Sequence, residues 1–189
     1  MNRRGFTLVE LLAMMVVLSV LMVIAVPNIS GIIKKNRESI SIEDVNKMVR
    51  GAKTRFSTRA ANYPGNNQCV VLTLNYVDLN DDFKSGVNGG TYDMNESVVI
   101  VKKVPKTGVS GVYEYKFYIR LVEHSDSRDY ILGPVEYNEY TKNPSSPHYE
   151  ELAESKKFNF SDDTTMDQAK TTIQNMQSGL CSSVVAIYK

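Results

Sequence analysis

The chain has 189 residues, of which 42% are hydrophobic and 23% charged, with a formal net charge of +1. That near-neutral balance excludes a surface given over as a whole to nucleic acid, and no nucleic-acid partner is expected. Setting aside an apolar N-terminal segment leaves roughly 160 residues, room for one modest domain.

The chain opens MNRRGFTLVE, with two arginines and Gly5 ahead of a long apolar run. From Phe6 to Val26 there are 21 residues, and Glu10 is the only charged one. As a helix this run is about 31 Å long, the thickness of a bilayer's hydrocarbon core. An ionised side chain at mid-membrane costs roughly 2.5–3.5 kcal/mol, so Glu10 either snorkels from an ordinary anchor or needs a partner. A secretory signal peptide would place small residues and a cleavage site after the apolar run. Here Pro27-Asn28-Ile29 follows instead. Basic residues flank both sides, Arg3 and Arg4 before and Lys34, Lys35 and Arg37 after, so charge alone leaves orientation open.

The stretch Gly5-Phe6-Thr7-Leu8-Val9-Glu10 resembles the N-terminal motif of type IV pilins and their relatives in secretion and DNA-uptake machines. The resemblance covers Met1 to about Ile33. It implies cleavage after Gly5 by the prepilin peptidase and methylation of the new amine on Phe6. It implies that Glu10 pairs with the N-terminal amine of a neighbouring subunit and so sets axial register. It also places the leader in the cytoplasm and the remainder outside. The implied partners are like subunits, an assembly platform with its ATPase, and the membrane before assembly.

Beyond Val26 the helical period continues. Val45, Met48, Val49, Ala52 and Phe56 fall at i, i+3, i+4, i+7 and i+11, with charged residues on the other faces. One helix is predicted from Phe6 to about Arg59, apolar all round in its first half and amphipathic in its second. Pro27 removes an amide donor and crowds the carbonyl of Val23, which predicts a kink or local loosening. In the resembling family a proline at this place lends the helix compliance in the filament.

Asn62-Tyr63-Pro64-Gly65 is a breaker cluster that ends the helix. Residues 61–96 read as a connecting loop with at most one short helix or strand. Within it Asp78-x-Asn80-x-Asp82 begins like a calcium loop, but Phe83 stands at the turn-glycine position and Gly89 at the bidentate-acid position. A solvated acidic turn is the reading, and no metal is expected.

The remainder predicts strands over Ser97–Val104, Val112–Val122 and Tyr130–Tyr137. In the second of these Tyr113, Tyr115, Phe117, Ile119 and Leu121 share one face, expected to pack on the Met48/Val49/Phe56 stripe. Tyr113 and Tyr115 are read as core, and Pro134 favours an edge position. After the 143–147 turn a short helix is expected, capped by Ser146 with Pro147 first and closed by Lys156-Lys157. A second helix is expected over Thr165–Ser178 and a last strand over Ser183–Tyr188.

Cys69 and Cys181 would lie outside the cytoplasm by the resemblance, where a bridge is allowed. The family's C-terminal disulfide suits Cys181, while Cys69 is a less usual partner; a bridge and two buried thiols both stand. His124 and His148 lack metal-ligand spacing and read as surface residues. Tyr137, Tyr140 and Tyr149 lie in polar sequence, as a partly buried rim or an adhesive patch. No nucleophile-elbow, Walker or dinucleotide pattern occurs, so no catalytic role and no cofactor is expected.

The expected fold is α+β and pilin-like: a leader over 1–5, a helix over 6–60 whose 6–26 portion spans the membrane, and an antiparallel-sheet head over 61–189. The expected function is a structural subunit that polymerises into an extracellular pilus. A minor pilin or a secretion or competence pseudopilin shares the same N-terminus. A membrane-anchored binding protein that never polymerises is the alternative from another class.

Overall fold

The computed structural model describes residues 7–58, 63–78, 80, 83, 85–142, 149–157, 160 and 163–189; inside the first helix the side chains of 24–28 and 30 also fall outside this set. Helix α1 runs Leu8–Ser57, continuous through Pro27. The chain divides into two compact units, Met1–Ser39 and Ile40–Lys189.

In the first unit every described side chain from Thr7 to Arg37 is exposed. Among the described residues, no helix is long and apolar enough to cross a membrane. Phe6 and the side chains of residues 24–26 of the expected span lie outside the described set.

Among the described residues, the second unit is built on a seven-stranded sheet. Its strands are β1 (Gln68–Thr73), β2 (Thr91–Tyr92), β3 (Val98–Pro105), β4 (Tyr113–His124), β5 (Tyr130–Glu136), β6 (Glu150–Glu151) and β7 (Ser183–Tyr188). The order is β6-β5-β4-β3-β1-β7, with β2 paired to β4. Short helices α2 (Leu74–Val77) and α3 (Tyr137–Lys142) flank the sheet, and α4 (Met166–Met176) precedes β7. The predicted stripe of α1, Val45, Met48, Val49, Ala52 and Phe56, is buried against Val70, Leu72, Val99, Val101, Ile119 and Leu121. The opposite face, with Cys69, Val71, Val98 and Ile100, is covered by Ala169 and Ile173 of α4.

Several expectations are corrected. Segment 61–96 holds more than the one short element expected of it: β1, α2 and β2 lie there. Strand β1 sits mid-sheet with both faces covered, so it shows a short continuous apolar run rather than alternation. The sheet is mixed rather than antiparallel, because β7 pairs with β1 in parallel while β3 pairs with β1 antiparallel. The helix expected after Pro147 is absent from the described part: Glu150–Glu151 pairs with β5 as β6, and only a 3-10 turn, Glu154–Lys156, follows. Edge pairing and the bond from Leu152 N–H to Asp129 O, 2.8 Å, override the local helical signal. Ser146 and Pro147 lie outside the described residues.

Tyr113 and Tyr115 are not core: they are 49% and 38% exposed, because the β3–β4 hairpin extends past the end of α1. Strand β5 ends one residue early, with Tyr137 opening α3. Its Pro134 lies beyond the two residues that β6 covers, on the open part of the edge, where a missing amide donor costs no ladder bond. Gly133 has φ +84, and a Cβ there would run into the carbonyl oxygen of Ile119. Helix α4 opens with a capping box between Thr165 and Gln168 and is followed by Gly179 at φ +75.

Candidate functional site

Gly5 and Phe6, the cleavage and methylation positions, lie outside the described residues. The site can be followed from Thr7. Its N–H and its hydroxyl each donate to Glu10 Oε2 at 2.9 Å, and Glu10 N–H donates back to Thr7 Oγ1 at 3.3 Å. This is a capping box, which satisfies amides that the first helical turn otherwise leaves open. Thr7-x-x-Glu10 carries that pattern in sequence, and the motif reading of Glu10 passed over it. Both local side-chain bonds fall on Oε2, leaving Oε1 directed to no described residue.

Behind the box, the large apolar side chains from Leu8 to Val23 are 54–81% exposed. A helix that is apolar all round is stable only inside lipid or among other helices. Each large apolar side chain left in water forgoes about 1.5–3 kcal/mol of burial. Pro27 lies within α1, and its side chain is outside the described set.

Where α1 enters the second unit, hydroxyls fasten it. Ser41 hydrogen-bonds Tyr140, Tyr92 donates to Asp44 at 2.9 Å, and Tyr137 donates to Asn46 at 2.6 Å. Tyr149 lies 3.5 Å from the Tyr92 hydroxyl. Burial pushes the Asp44 carboxyl and the Tyr92 phenol above their ordinary values. The three tyrosines 137, 140 and 149 are therefore inward-turned fasteners and not an adhesive patch; Tyr140 is 2% exposed.

Cys69 and Cys181 form a disulfide between β1 and the residue pair that leads into β7, with Cα atoms 5.7 Å apart. The parallel register that sets Cys69 opposite Val184 brings them together.

His124 is no plain surface residue. Its Nε2 lies 3.2 Å from Asp93 Oδ2 and its Nδ1 3.0 Å from Asp129 Oδ1. Burial opposes the charged ring, but bonds to Asp129 and Asp93 outweigh it and raise its pKa. Ligand atoms of Asp93, Glu96 and His124 lie within 4.8 Å of one another. Yet Arg120, fully buried, stands 3.6 Å from Glu96 and donates to the carbonyls of Glu96 and Lys156 at 2.6 Å. Burial lowers its guanidinium to about 10, with Glu96 opposing. A divalent ion would crowd that cation, so the cluster is an ion-pair network rather than a metal centre. His148 and Asp82 of the calcium-like run lie outside the described residues. Buried Glu123, which sequence reading did not single out, accepts from the Asn88 and Gly90 amides at 2.8 Å and fixes the 86–90 turn.

The family model of the prokaryotic N-terminal methylation motif matches residues 1–26. No curated protein and no solved structure matches the chain. The motif implies processing by prepilin peptidase and assembly into pili, from a membrane-anchored precursor to a surface fibre. Residues 1–26 carry the class III signal peptide of type IV pilins and prepilins, the mark of a type IV pilin-like or pseudopilin precursor.

Proposed function

We propose that the mature chain is a structural, non-catalytic subunit that polymerises into an extracellular pilus serving adhesion and motility. The observation that carries this reading is the first unit of α1, whose described apolar side chains find no cover within the chain. Lipid covers them in the precursor, and like helices cover them in the fibre, so apolar surface stays out of water throughout. The sequence has no Walker pattern, so the work of extraction falls to an assembly platform and its ATPase.

Glu10 then acts at each subunit junction. Its Oε2 stays in the capping box while Oε1 takes the methylated amine of the neighbouring copy's first residue. A buried charge so paired fixes register, since displaced subunits would strand both charges. Glu10→Ala in producing cells tests this. Cut chain should accumulate in membranes while sheared fibres disappear; wild-type fibre yield from Glu10→Ala would overturn the reading.

A further inference from the structure

Charge in the second unit is sorted along the strands. At the hairpin end, β3 and β4 pair Lys102 with Lys116, Lys103 with Tyr115, Val104 with Glu114 and Pro105 with Tyr113; Lys116 is bonded to Glu136, which leaves Lys102, Lys103 and Lys106 against Glu114. Helix α1 reaches that end with Phe56, whose ring lies 5.2 Å from Tyr115. Lys103 Nζ sits 4.7 Å over the Tyr113 ring. No described acid pairs with Lys102, Lys103 or Lys106. The turn between the strands also holds Val109 and Val112 in water, 48% and 43% exposed. Their backbones close the turn with Lys106, but among the described residues neither side chain joins a buried cluster.

The opposite end is acidic. There β4 closes on β2 and β5 at Glu123, and β5 meets β6 where Tyr130 pairs with Glu151. Asp126, Asp129, Glu150, Glu151 and Glu154 stand at this end against Arg128, Lys156 and Lys157. The His124–Asp93 pair adds no net charge while the ring is protonated. Asp126, Glu150, Glu151 and Glu154 are exposed.

Opposite charge at opposite ends of one body favours head-to-tail contact between copies. Such a contact is heterologous and does not close on itself, so it propagates as a filament instead of stopping at a dimer. We propose that the lysine-bearing β3–β4 hairpin of one copy docks on the acidic β5–β6 end of the next copy, with Val109 and Val112 shielded at the contact. This rests on the filament reading and adds a second junction to the one at Glu10. Charge supplies orientation and register, and the valines supply apolar area.

Single exposed pairs are weak, so the test reverses several at once in the full-length chain in producing cells. Lys103→Glu with Lys106→Glu should lower sheared fibre yield by at least about tenfold while cleavage after Gly5 is unchanged. Glu150→Lys with Glu151→Lys should do the same, and the fourfold variant should regain fibres. Wild-type yield from either pair, or failure of the fourfold variant to regain fibres, overturns the proposal. If a lysine variant fails to accumulate, Val109→Asp, on an exposed turn, reads the same contact and should also lose fibres; wild-type yield from it overturns the proposal. A wild-type chain that yields no fibre at all instead defeats the filament reading, and this inference with it.

Discussion

Thr7 and Glu10 close the first turn of α1 on each other, and the side-chain bonds that Glu10 accepts there use Oε2 alone. Capping and charge are therefore separable by mutation. Glu10→Gln keeps an N3 side chain suited to the box but removes the charge. Thr7→Ala keeps the charge and removes the cap, at a local cost of about 0.5–2 kcal/mol. If charge sets register, sheared fibres vanish in Glu10→Gln and persist in Thr7→Ala. Persistence in Glu10→Gln with loss in Thr7→Ala would reduce Glu10 to a helix cap.

The Cys69–Cys181 disulfide joins residues separated by 112 positions. Closing so long a loop stabilises by about 4.7 kcal/mol in the chain-entropy model, with measured losses nearer 2–5 kcal/mol. The double variant Cys69→Ala, Cys181→Ala should lower the urea midpoint of the second unit by a matching amount. An unchanged midpoint would mean that packing of β1 against β7 suffices.

His124 makes stability depend on pH. Its pKa is raised above the ordinary 6.5, so its contribution is full below that value and is lost as pH rises through the raised one. Asp129 is held below the ordinary 3.8, chiefly by the bond from His124, so its contribution is full above 3.8 and is lost as pH falls. The two together are strongest between those values. Thermal unfolding of wild type should therefore weaken from pH 6 to pH 8, and His124→Asn should flatten that slope. An equal slope in the variant would assign the effect to other groups.

Most of the α1 stripe and the β3–β4 hairpin could be read in the sequence because their periods, 3.6 and 2, are long and clean. Strand β1 could not, because a six-residue strand covered on both faces by α1 and α4 lacks alternation. Arg120 shows a second limit. It lies on the polar side of the β4 alternation, yet it is fully buried beneath the Lys156 carbonyl. Nothing local marks that burial, which depends on the 3-10 turn returning over the sheet. Of the two readings of the tyrosines at 137–149, the partly buried rim holds: Tyr137 and Tyr149 are partly buried and Tyr140 is buried, with hydroxyls turned inward to Ser41, Asp44 and Asn46, directly or through Tyr92. The N-terminal methylation motif over residues 1–26 was legible in the sequence; the Thr7 cap was present in the same residues and went unread.

The central claim is a processed filament subunit, and the most direct measurement is the N-terminal sequence and mass of the chain in sheared surface material. The account predicts fibres whose subunit begins at Phe6 with a methylated amine and has lost residues 1–5. A chain found only in membranes and still beginning at Met1 would contradict it.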